Sequence, residues 1–473
     1  MNKYLALLLL LIVTSLSAFR VKGGKLYVDV MIASGDSLKL DAVTLDIHSY
    51  TNREARMIQT PISISIDTTL VDTVYLSRNG AGFKDSDLWI EKELRYNDGL
   101  LYQYDRPFHY KLNSLEIAKL TDADKAEIHS EERENGRFLL VGNQGTELKV
   151  GSNSGFKAVA MSIDGFEGTY SGDFKIHANN GLIAITQLVE LEEYLTGVVA
   201  SEIGDYAPME ALKAQAVAAR TKTIRSLLNP KDPQSFRIDF CNTTNTQVYR
   251  GSDKVKPNIR EAVEATKGEI LVFDNIVIDA VFSSNCGGVT ESNQNVWNGL
   301  PIPYLQSVRD EKAVKGLKLA QNSDAKKWIE MKYEPGPELD IATWQRKYYY
   351  WERNVHIEDL ESVTGIDKIK ELKVLKRGDS GRIIQLEVIG SQKKTLKSDA
   401  VIRKSFGGLP SSLCYFKRTK SGFKVIGRGY GHGVGMCQSG AIIRTIYNEK
   451  YKEILLHYYT DVELIKLDKV IAF

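Results

Sequence analysis

Apolar and polar residues alternate along much of the chain up to about residue 150. The segments 25–30 and 62–66 each place an apolar residue at every second position. This period is that of a β-strand with one buried face, because successive side chains point to opposite sides of a sheet. We therefore predict a β-rich accessory region at 19–150, with further short strands up to about residue 187.

A helical period follows the alternating one. Leu191, Leu195 and Val198 recur at the spacing of one helix face, which predicts a helix at 190–199. Pro208 opens a second helix that runs to about residue 228, because the first turn of a helix does not use the N–H that proline lacks. A third helix is expected at 259–266, followed by a hairpin that turns at Asp274 and Asn275. Strands and helices occupy separate stretches, which predicts an α+β fold.

The first eighteen residues have the layout of a secretory signal peptide. Lys3 precedes an apolar run at 5–13, and Ser17 and Ala18 are small residues suited to cleavage. An uncleaved N-terminal anchor is the alternative. No later run is long and apolar enough for a membrane helix. We therefore expect an exported protein, periplasmic or at the cell surface, with no membrane span in the mature chain.

Charge and cysteine content exclude several classes of protein. The 473 residues carry 62 Lys and Arg against 60 Asp and Glu. This near-zero net charge argues against a protein that binds nucleic acid through its overall positive charge. Four cysteines are too few for a disulfide scaffold but allow a single bridge. The aromatic and basic run 344–351 is interpreted as a surface segment covering the neighbouring core, with stacking on sugars or bases as the alternative.

Three polar, glycine-marked segments are the candidates for chemistry, at 200–204, 282–291 and 427–438. The third has five glycines within nine residues, which indicates unusual backbone angles or close approach to a ligand. The chain has no phosphate-loop, H-E-x-x-H, G-x-S-x-G or paired C-x-x-C motif. A thiol–imidazole peptidase pair of His432 and Cys437 is an alternative, although their spacing does not predict contact.

Four blocks of the chain resemble the SpoIID/LytB family, named after stage II sporulation protein D, and occur in the family's order. They are 189–202 with 210–221, 242–251, the S-S-x-x-G-G-x-T segment at 283–290, and G-R-G-Y-G-H-G-V-G-M-x-Q-x-G-A at 427–441. The resemblance covers about 156–310 and 422–460. It implies that 151–473 is a mixed catalytic domain of this family, with an insert at about 310–400.

The resemblance implies a peptidoglycan lytic transglycosylase, and Glu202 matches the family's catalytic glutamate. A protonated Glu202 would protonate the oxygen that links muramic acid to glucosamine. It would then take the proton of the muramic acid C6 hydroxyl, which closes a 1,6-anhydro ring. One carboxylate is sufficient here, whereas hydrolysis uses a pair. Such an acid needs a raised pKa, which burial against Val198, Val199 and Ile203 would favour.

Other matching positions imply supporting residues. They would hold acetamido and hydroxyl groups or orient Glu202, since oriented donors stabilise developing charge. These residues are Arg220, Gln247, Ser283, Ser284, Thr290, His432 and Gln438. For Arg220, a buried polar network that fixes the loops is an equally good interpretation.

Two departures from the family concern metal and cysteine. Some members resemble a zinc site around Cys-x-x-x-His-Cys, but here Cys241 is accompanied by Asn245 and Thr246. One thiolate is not a zinc site, so we predict no metal and no other cofactor. Cys286 and Cys437 stand where the family often has a small residue such as serine. In an oxidising compartment we expect them to form a disulfide that ties two active-site loops together.

The alternative function is a non-catalytic wall-binding protein or amidase enhancer of the same fold. The partners are then peptidoglycan glycan strands and a cell-wall amidase. The presence of Glu202 favours the enzyme. Nucleic-acid binding through 344–351 is a third interpretation that requires salt-sensitive affinity for polynucleotides, and no nucleic-acid partner is expected.

Overall fold

The computed structural model describes residues 20–35, 155–179, 182–228, 240–241, 247–297, 299–331 and 346–470, together with the short strands between residues 37 and 150 whose bounds are given below. The predicted signal peptide lies outside these residues, as does Trp344. The chain forms two compact units, one of 195–231 and 255–473, the other of 19–194 and 232–254. The strands at 155–190 lie in the same compact unit as the strands before residue 150.

The unit of 19–194 and 232–254, here the β unit, is built of strands. They are β1 (Arg20–Lys22), β2 (Lys25–Gly35), β3 (Ser37–Asp41), β4 (Thr44–His48), β5 (Ala55–Met57), β6 (Ile62–Ile66), β7 (Tyr75–Leu76), β8 (Phe83–Asp85), β9 (Leu88–Ile90), β10 (Glu93–Asn97), β11 (Leu100–Asp105), β12 (Phe108–Lys111), β13 (Ile128–His129), β14 (Phe138–Gly142), β15 (Glu147–Val150), β16 (Gly155–Ile163), β17 (Phe166–Asn179), β18 (Leu182–Glu190) and β19 (Phe240–Cys241). The largest sheet has the order β1-β2-β18-β17-β16-β3-β6-β14-β15.

The alternating pattern predicted from the sequence is present in β2. Val28, Val30 and Ile32 are fully buried, at 0–1% exposure. They meet β18, which pairs antiparallel with β2 and contributes the buried Ile183 and Ile185. The period of two places every second side chain in the core, as a half-buried strand requires.

The unit of 195–231 and 255–473, here the mixed unit, holds the helices that the structure describes. They are α1 (Leu191–Glu202), whose first residues belong to the β unit, α2 (Met209–Leu228), α3 (Pro257–Ala265), α4 (Asn293–Trp297), α5 (Asn322–Glu330), α6 (Ile357–Thr364), α7 (Asp399–Ser405), α8 (Gln438–Arg444) and α9 (Tyr451–Tyr458). Its strands are β20 (Glu269–Phe273), β21 (Ile276–Val277), β22 (Phe282–Ser283), β23 (Trp351–His356), β24 (Glu371–Arg377), β25 (Ile383–Ile389), β26 (Lys393–Lys397), β27 (Cys414–Arg418), β28 (Gly422–Gly427), β29 (Met436–Cys437) and β30 (Glu463–Lys466).

Local sequence accounts for the first elements of the mixed unit. Pro208 immediately precedes α2, whose alanines are buried along the helix. Asp274 and Asn275 both have positive φ, at 48° and 62°, between the antiparallel strands β20 and β21. Two such residues form the tight turn that matches the twist of a hairpin. The predicted hairpin is confirmed, with β21 ending at Val277.

The segment at about 310–400 shares its cores with the sequence blocks that flank it. One core cluster joins Leu386 and Val388 of β25 to Phe423 and Val425 of β28. A second joins Trp328 and other residues of the segment to Val289, Leu413 and Ile426. Strand β23 also pairs with β28 in a three-stranded sheet with β27. The segment is therefore packed into the mixed unit.

The predicted α+β class is confirmed, since helices and several separate sheets coexist in the chain. Across the residues that the structure describes, none of the helices has both the length and the apolar character needed to cross a membrane.

Candidate active site

Glu202 is the last residue of α1, where the sequence suggested a break between two helices. Its side chain is half-buried, and Ile203 behind it is fully buried with Val198 and Val199. The chain turns at Gly204, whose φ is +85°. A Cβ at Gly204 would overlap the ring of Tyr206, so only glycine allows this turn. Glu202 is thus held at a helix end by a turn that tolerates no side chain.

The loop after Glu202 is hydrogen-bonded to the start of α3. Asn258 Nδ2 donates to the carbonyl oxygen of Asp205 over 2.8 Å, and Lys256 Nζ lies 2.7 Å from Asp205 Oδ2. The ion pair is exposed and contributes little, whereas the amide bond fixes the loop backbone directly.

Two of the three polar segments meet along paired backbones. Strand β22 runs parallel to β29, with Ser283 opposite Cys437. Beyond it, Asn285 and Tyr430 exchange two backbone hydrogen bonds, of 3.1 and 2.8 Å. The hydroxyls of Ser283 and Ser284 are buried and have no hydrogen-bond partner among the described residues. Buried hydroxyls without partners are unusual, and they are suited to bind a polar ligand.

His432 lies on the glycine-rich segment with one ring nitrogen already occupied. Its Nδ1 accepts a hydrogen bond from the backbone N–H of Val434 over 3.0 Å. A neutral ring that accepts at Nδ1 carries its proton on Nε2, so Nε2 is the donor. The ring centroid lies 5.2 Å from that of Trp297, whose side chain is 49% exposed.

The charge state of His432 is set by its surroundings. The pKa of His432 is lowered from 6.5 to about 3, first by burial and then by the positive charges of three side chains, Lys222, Arg382 and Arg403. A backbone hydrogen bond with Phe282 opposes the shift. The imidazole is therefore neutral near pH 7.

Arg382 supports the glycine-rich segment from within the predicted insert. Its guanidinium is fully buried, and Nη1 donates to the carbonyl of Cys286 over 2.9 Å. It packs so closely on Gly433 that a Cβ there would overlap it. Arg382 was not predicted from the sequence, because no local motif links it to a loop far along the chain. The one signal in the sequence was the position of Arg382, a charged residue directly before the apolar strand β25.

Glu291 is a second residue that the sequence analysis did not single out. Its carboxylate is fully buried and accepts hydrogen bonds from Ser380 Oγ over 2.6 Å and from Asn295 Nδ2 over 2.9 Å. Backbone N–H groups of Ser292, Asp379 and Ser380 donate as well. Burial raises the pKa of Glu291, and these bonds oppose the rise. Its own N–H donates to the carbonyl of Gly433 over 2.8 Å, so Glu291 links the predicted insert to the glycine-rich segment.

Arg220, Thr290 and Gln438 hold backbone or neighbouring helices. Arg220 is fully buried and donates to the carbonyls of Val263 and Glu269, which favours the network interpretation. Thr290 Oγ1 accepts from the N–H of Val308 over 2.8 Å. The Gln438 amide donates to Gln215 Oε1 over 3.3 Å, joining α8 to α2. Gln247 is buried in the β unit, whereas Glu202 belongs to the mixed unit.

The expected disulfide between Cys286 and Cys437 is not formed. Both are buried free thiols, as is Cys414. The Cys437 sulfur accepts hydrogen bonds from the N–H groups of Cys286, over 3.2 Å, and Gly440, over 3.3 Å. These contacts and the bond between His432 and Val434 leave the thiol–imidazole alternative without support. The Cys241 side chain lies outside the described residues.

Comparison with known proteins places these features in a family. Residues 179–273 match a family model described as stage II sporulation protein, and residues 291–435 match a domain of unknown function, DUF8618. An uncharacterized protein of Brachyspira hyodysenteriae is 29% identical over 77% of this chain and 88% of its own length. The amidase enhancer of Bacillus subtilis is 28% identical over 56% of this chain and 39% of its own length.

The relative that decides the assignment is the stage II sporulation protein D of Bacillus subtilis. It is 30% identical to this chain over 296 residues, which cover 59% of this chain and 76% of the relative. The stage II sporulation protein D of Bacillus amyloliquefaciens matches at 28% over a similar length. The chain belongs to the stage II sporulation protein D family.

Proposed function

We propose that this protein acts outside the cytoplasm on the cell wall, as a lytic transglycosylase that cleaves peptidoglycan glycan strands. The observation that carries the proposal is Glu202, which matches the family's catalytic position and stands at the end of α1 before a turn that only glycine allows. A carboxyl group held at a fixed backbone position is what acid–base catalysis requires.

The reaction needs one group that first gives and then takes a proton. Protonated Glu202 donates to the glycosidic oxygen between N-acetylmuramic acid and N-acetylglucosamine, and the bond from that oxygen to C1 of muramic acid breaks. The resulting carboxylate accepts the proton of the C6 hydroxyl, whose oxygen attacks C1. A 1,6-anhydro ring forms, Glu202 regains its proton, and no water is consumed.

Three groups near the glycine-rich segment are suited to hold the sugar. The hydroxyls of Ser283 and Ser284 are buried without partners among the described residues, and the uncharged ring of His432 lies on the adjoining glycine-rich segment. Glycans present hydroxyl and acetamido groups that accept and donate such bonds. We assign these residues to substrate binding, whereas Arg220 and Thr290 fix the backbone around them.

Digestion of purified glycan strands tests the catalytic role. The protein is incubated with strands that carry or lack stem peptides, and products are analysed by mass spectrometry. We expect 1,6-anhydro-muramic products that fall by at least about 100-fold in Glu202→Gln, since general acid–base catalysis contributes that much or more.

A matched substitution controls for the loss of charge. Glu264→Gln removes an exposed glutamate on α3 that pairs only with its neighbour Lys267 among the described contacts. It should leave product formation unchanged. Intact strands with the unsubstituted protein, or equal activity in Glu202→Gln, would contradict the proposal.

Enhancement of a cell-wall amidase is the second candidate function. It is favoured by the similarity to the Bacillus subtilis amidase enhancer, which extends over more than half of this chain. The same strands, with stem peptides attached, are treated with an amidase alone and together with the unsubstituted protein. Faster release of peptides by the mixture, with no anhydro products, would assign the protein to this function.

A further inference from the structure

Three potential metal ligands converge in the interior of the mixed unit. The sulfurs of Cys286 and Cys437 and a carboxylate oxygen of Asp310 all lie within 4.8 Å of one another. Each of the three side chains is about 2% exposed. Cys286 follows β22, Cys437 precedes α8, and Asp310 comes from the loop between α4 and α5. The cluster thus joins three separate stretches of chain.

We propose that Cys286, Asp310 and Cys437 bind a zinc ion. Two thiolates and a carboxylate are ligands that zinc takes in proteins, and three protein ligands leave one position of a tetrahedral ion for a further ligand. Zn–S and Zn–O bonds of about 2.3 and 2.0 Å separate adjacent ligand atoms by about 3.5 Å. The Cys286 sulfur lies 3.3 Å from Asp310 Oδ2, close to that separation.

Backbone N–H groups donate hydrogen bonds to both sulfurs. The Cys437 sulfur accepts from Cys286 and Gly440, and the Cys286 sulfur accepts from the N–H of Gly288 over 3.3 Å. Hydrogen bonds to a metal-bound sulfur stabilise its negative charge and orient it. These three donors would stabilise the thiolate form that the sulfurs take when a metal is bound.

The outer contacts of Asp310 leave one oxygen for the ion. Tyr458 donates to Oδ1 over 2.6 Å, and Arg444 Nε lies 3.4 Å from the same atom, so Oδ2 remains directed at the sulfur. A Cβ at residue 440 would overlap this carboxylate, and glycine there makes room for it. Two thiolates and one carboxylate carry three negative charges. Zn²⁺ would offset two of them, and Arg444, which is shared with Glu449, offsets part of the third.

The proposed ion acts by positioning the chain. Its ligands tie the segment that follows Ser283 to the start of α8, directly after the glycine-rich segment that carries His432. The site uses none of the positions of the Cys-x-x-x-His-Cys block. It replaces the expectation of a metal-free protein and gives the two cysteines a role other than the expected disulfide.

Metal analysis of the full-length protein tests the proposal. The protein is purified without chelators, and its zinc content is measured by plasma mass spectrometry. We expect about one zinc per chain, released when the thiols react with a mercurial. After replacement by Co²⁺, an ultraviolet sulfur-to-cobalt charge-transfer band should appear.

Single substitutions identify the ligands. Cys286→Ser and Cys437→Ser should each lose the bound metal and the cobalt band, whereas Cys414→Ser, which removes the other buried free thiol of the mixed unit, should retain both. The measurement on the unsubstituted protein needs no variant to fold. Absence of metal there, whether two thiols are protected as a disulfide or all four react under denaturing conditions, would overturn the proposal.

Discussion

The protonation state of His432 depends on the residues that surround its ring. A backbone N–H occupies Nδ1, and burial together with neighbouring cations keeps the ring neutral. The sequence predicted that this histidine belongs to the site, but its protonation depends on Lys222 and Arg382, which come from distant parts of the chain. The identity of a residue does not reveal its pKa, because the charges that shift the pKa come from residues that are distant in sequence.

Acid should therefore destabilise the protein through His432. Its pKa is about 3 in the folded chain against an ordinary value of 6.5. Between these values the unfolded chain binds a proton that the folded chain does not, so the free energy of unfolding falls as pH decreases from about 6.5 to 3. One proton corresponds to a slope of up to about 1.4 kcal/mol per pH unit.

Urea unfolding at pH 4, 5.5 and 7 measures this slope. His432→Gln should have a smaller pH dependence than the unsubstituted protein over this range. His356→Gln removes an exposed histidine before α6 and should not flatten the slope. Identical slopes for all three proteins would show that His432 titrates normally.

At the scale of elements, sequence periodicity was a good guide wherever a segment is stabilised by its own neighbours. The helices α1 and α2 and the hairpin of β20 and β21 lie close to their predicted positions. The pairing of β22 with β29 and the packing of Arg382 under the glycine-rich segment were not predicted. Short strands and buried arginines owe their positions to contacts between residues that are distant in sequence. The local periodicity of the sequence does not predict such contacts.

The contact between Arg382 and the glycine-rich segment predicts unequal effects of two similar substitutions. Gly433 and Gly365 have φ of +76° and +68°, so alanine costs about 1–2 kcal/mol of backbone strain at either position. At Gly365 the added methyl meets open space, whereas at Gly433 it meets the buried guanidinium. Overpacking adds about 1–3 kcal/mol.

Guanidinium chloride unfolding compares the two variants. Gly433→Ala should lose about 2–5 kcal/mol of the free energy of unfolding, and Gly365→Ala about 1–2 kcal/mol. Equal losses would mean that Arg382 moves aside without cost and does not brace the segment.

At the scale of the whole molecule, the segment at about 310–400 packs together with the family blocks that flank it. Sequence resemblance skips this segment, so it appears as an insert. Its residues nevertheless share two core clusters with 289 and 402–426. Tertiary packing is invisible to a comparison of motifs, because apolar core residues are interchangeable as long as volume and pattern are kept.

Native-state hydrogen exchange tests whether the segment unfolds with its surroundings. Strand β25 lies within it and β28 outside it, and both contribute to one core cluster. Their slowest amides should exchange with free energies that agree within about 1 kcal/mol, since one cooperative unit opens as a whole. The exposed turn at 419–421 provides a fast-exchanging control. Earlier exchange of β25 while β28 stays protected would identify an independent subdomain.

The position of Trp297 beside His432 means that its fluorescence should respond to a ligand bound at the glycine-rich segment. Among the tryptophans that the structure describes, Trp328 and Trp351 are buried and donate to the carbonyls of Gly287 and Gly429 over 2.7 and 3.0 Å. Trp297 is half in solvent beside His432. Indole emission moves to shorter wavelength when water leaves the ring. A saccharide that covers Trp297 would therefore shift the emission of this indole to shorter wavelength, and occupancy could be followed without any label.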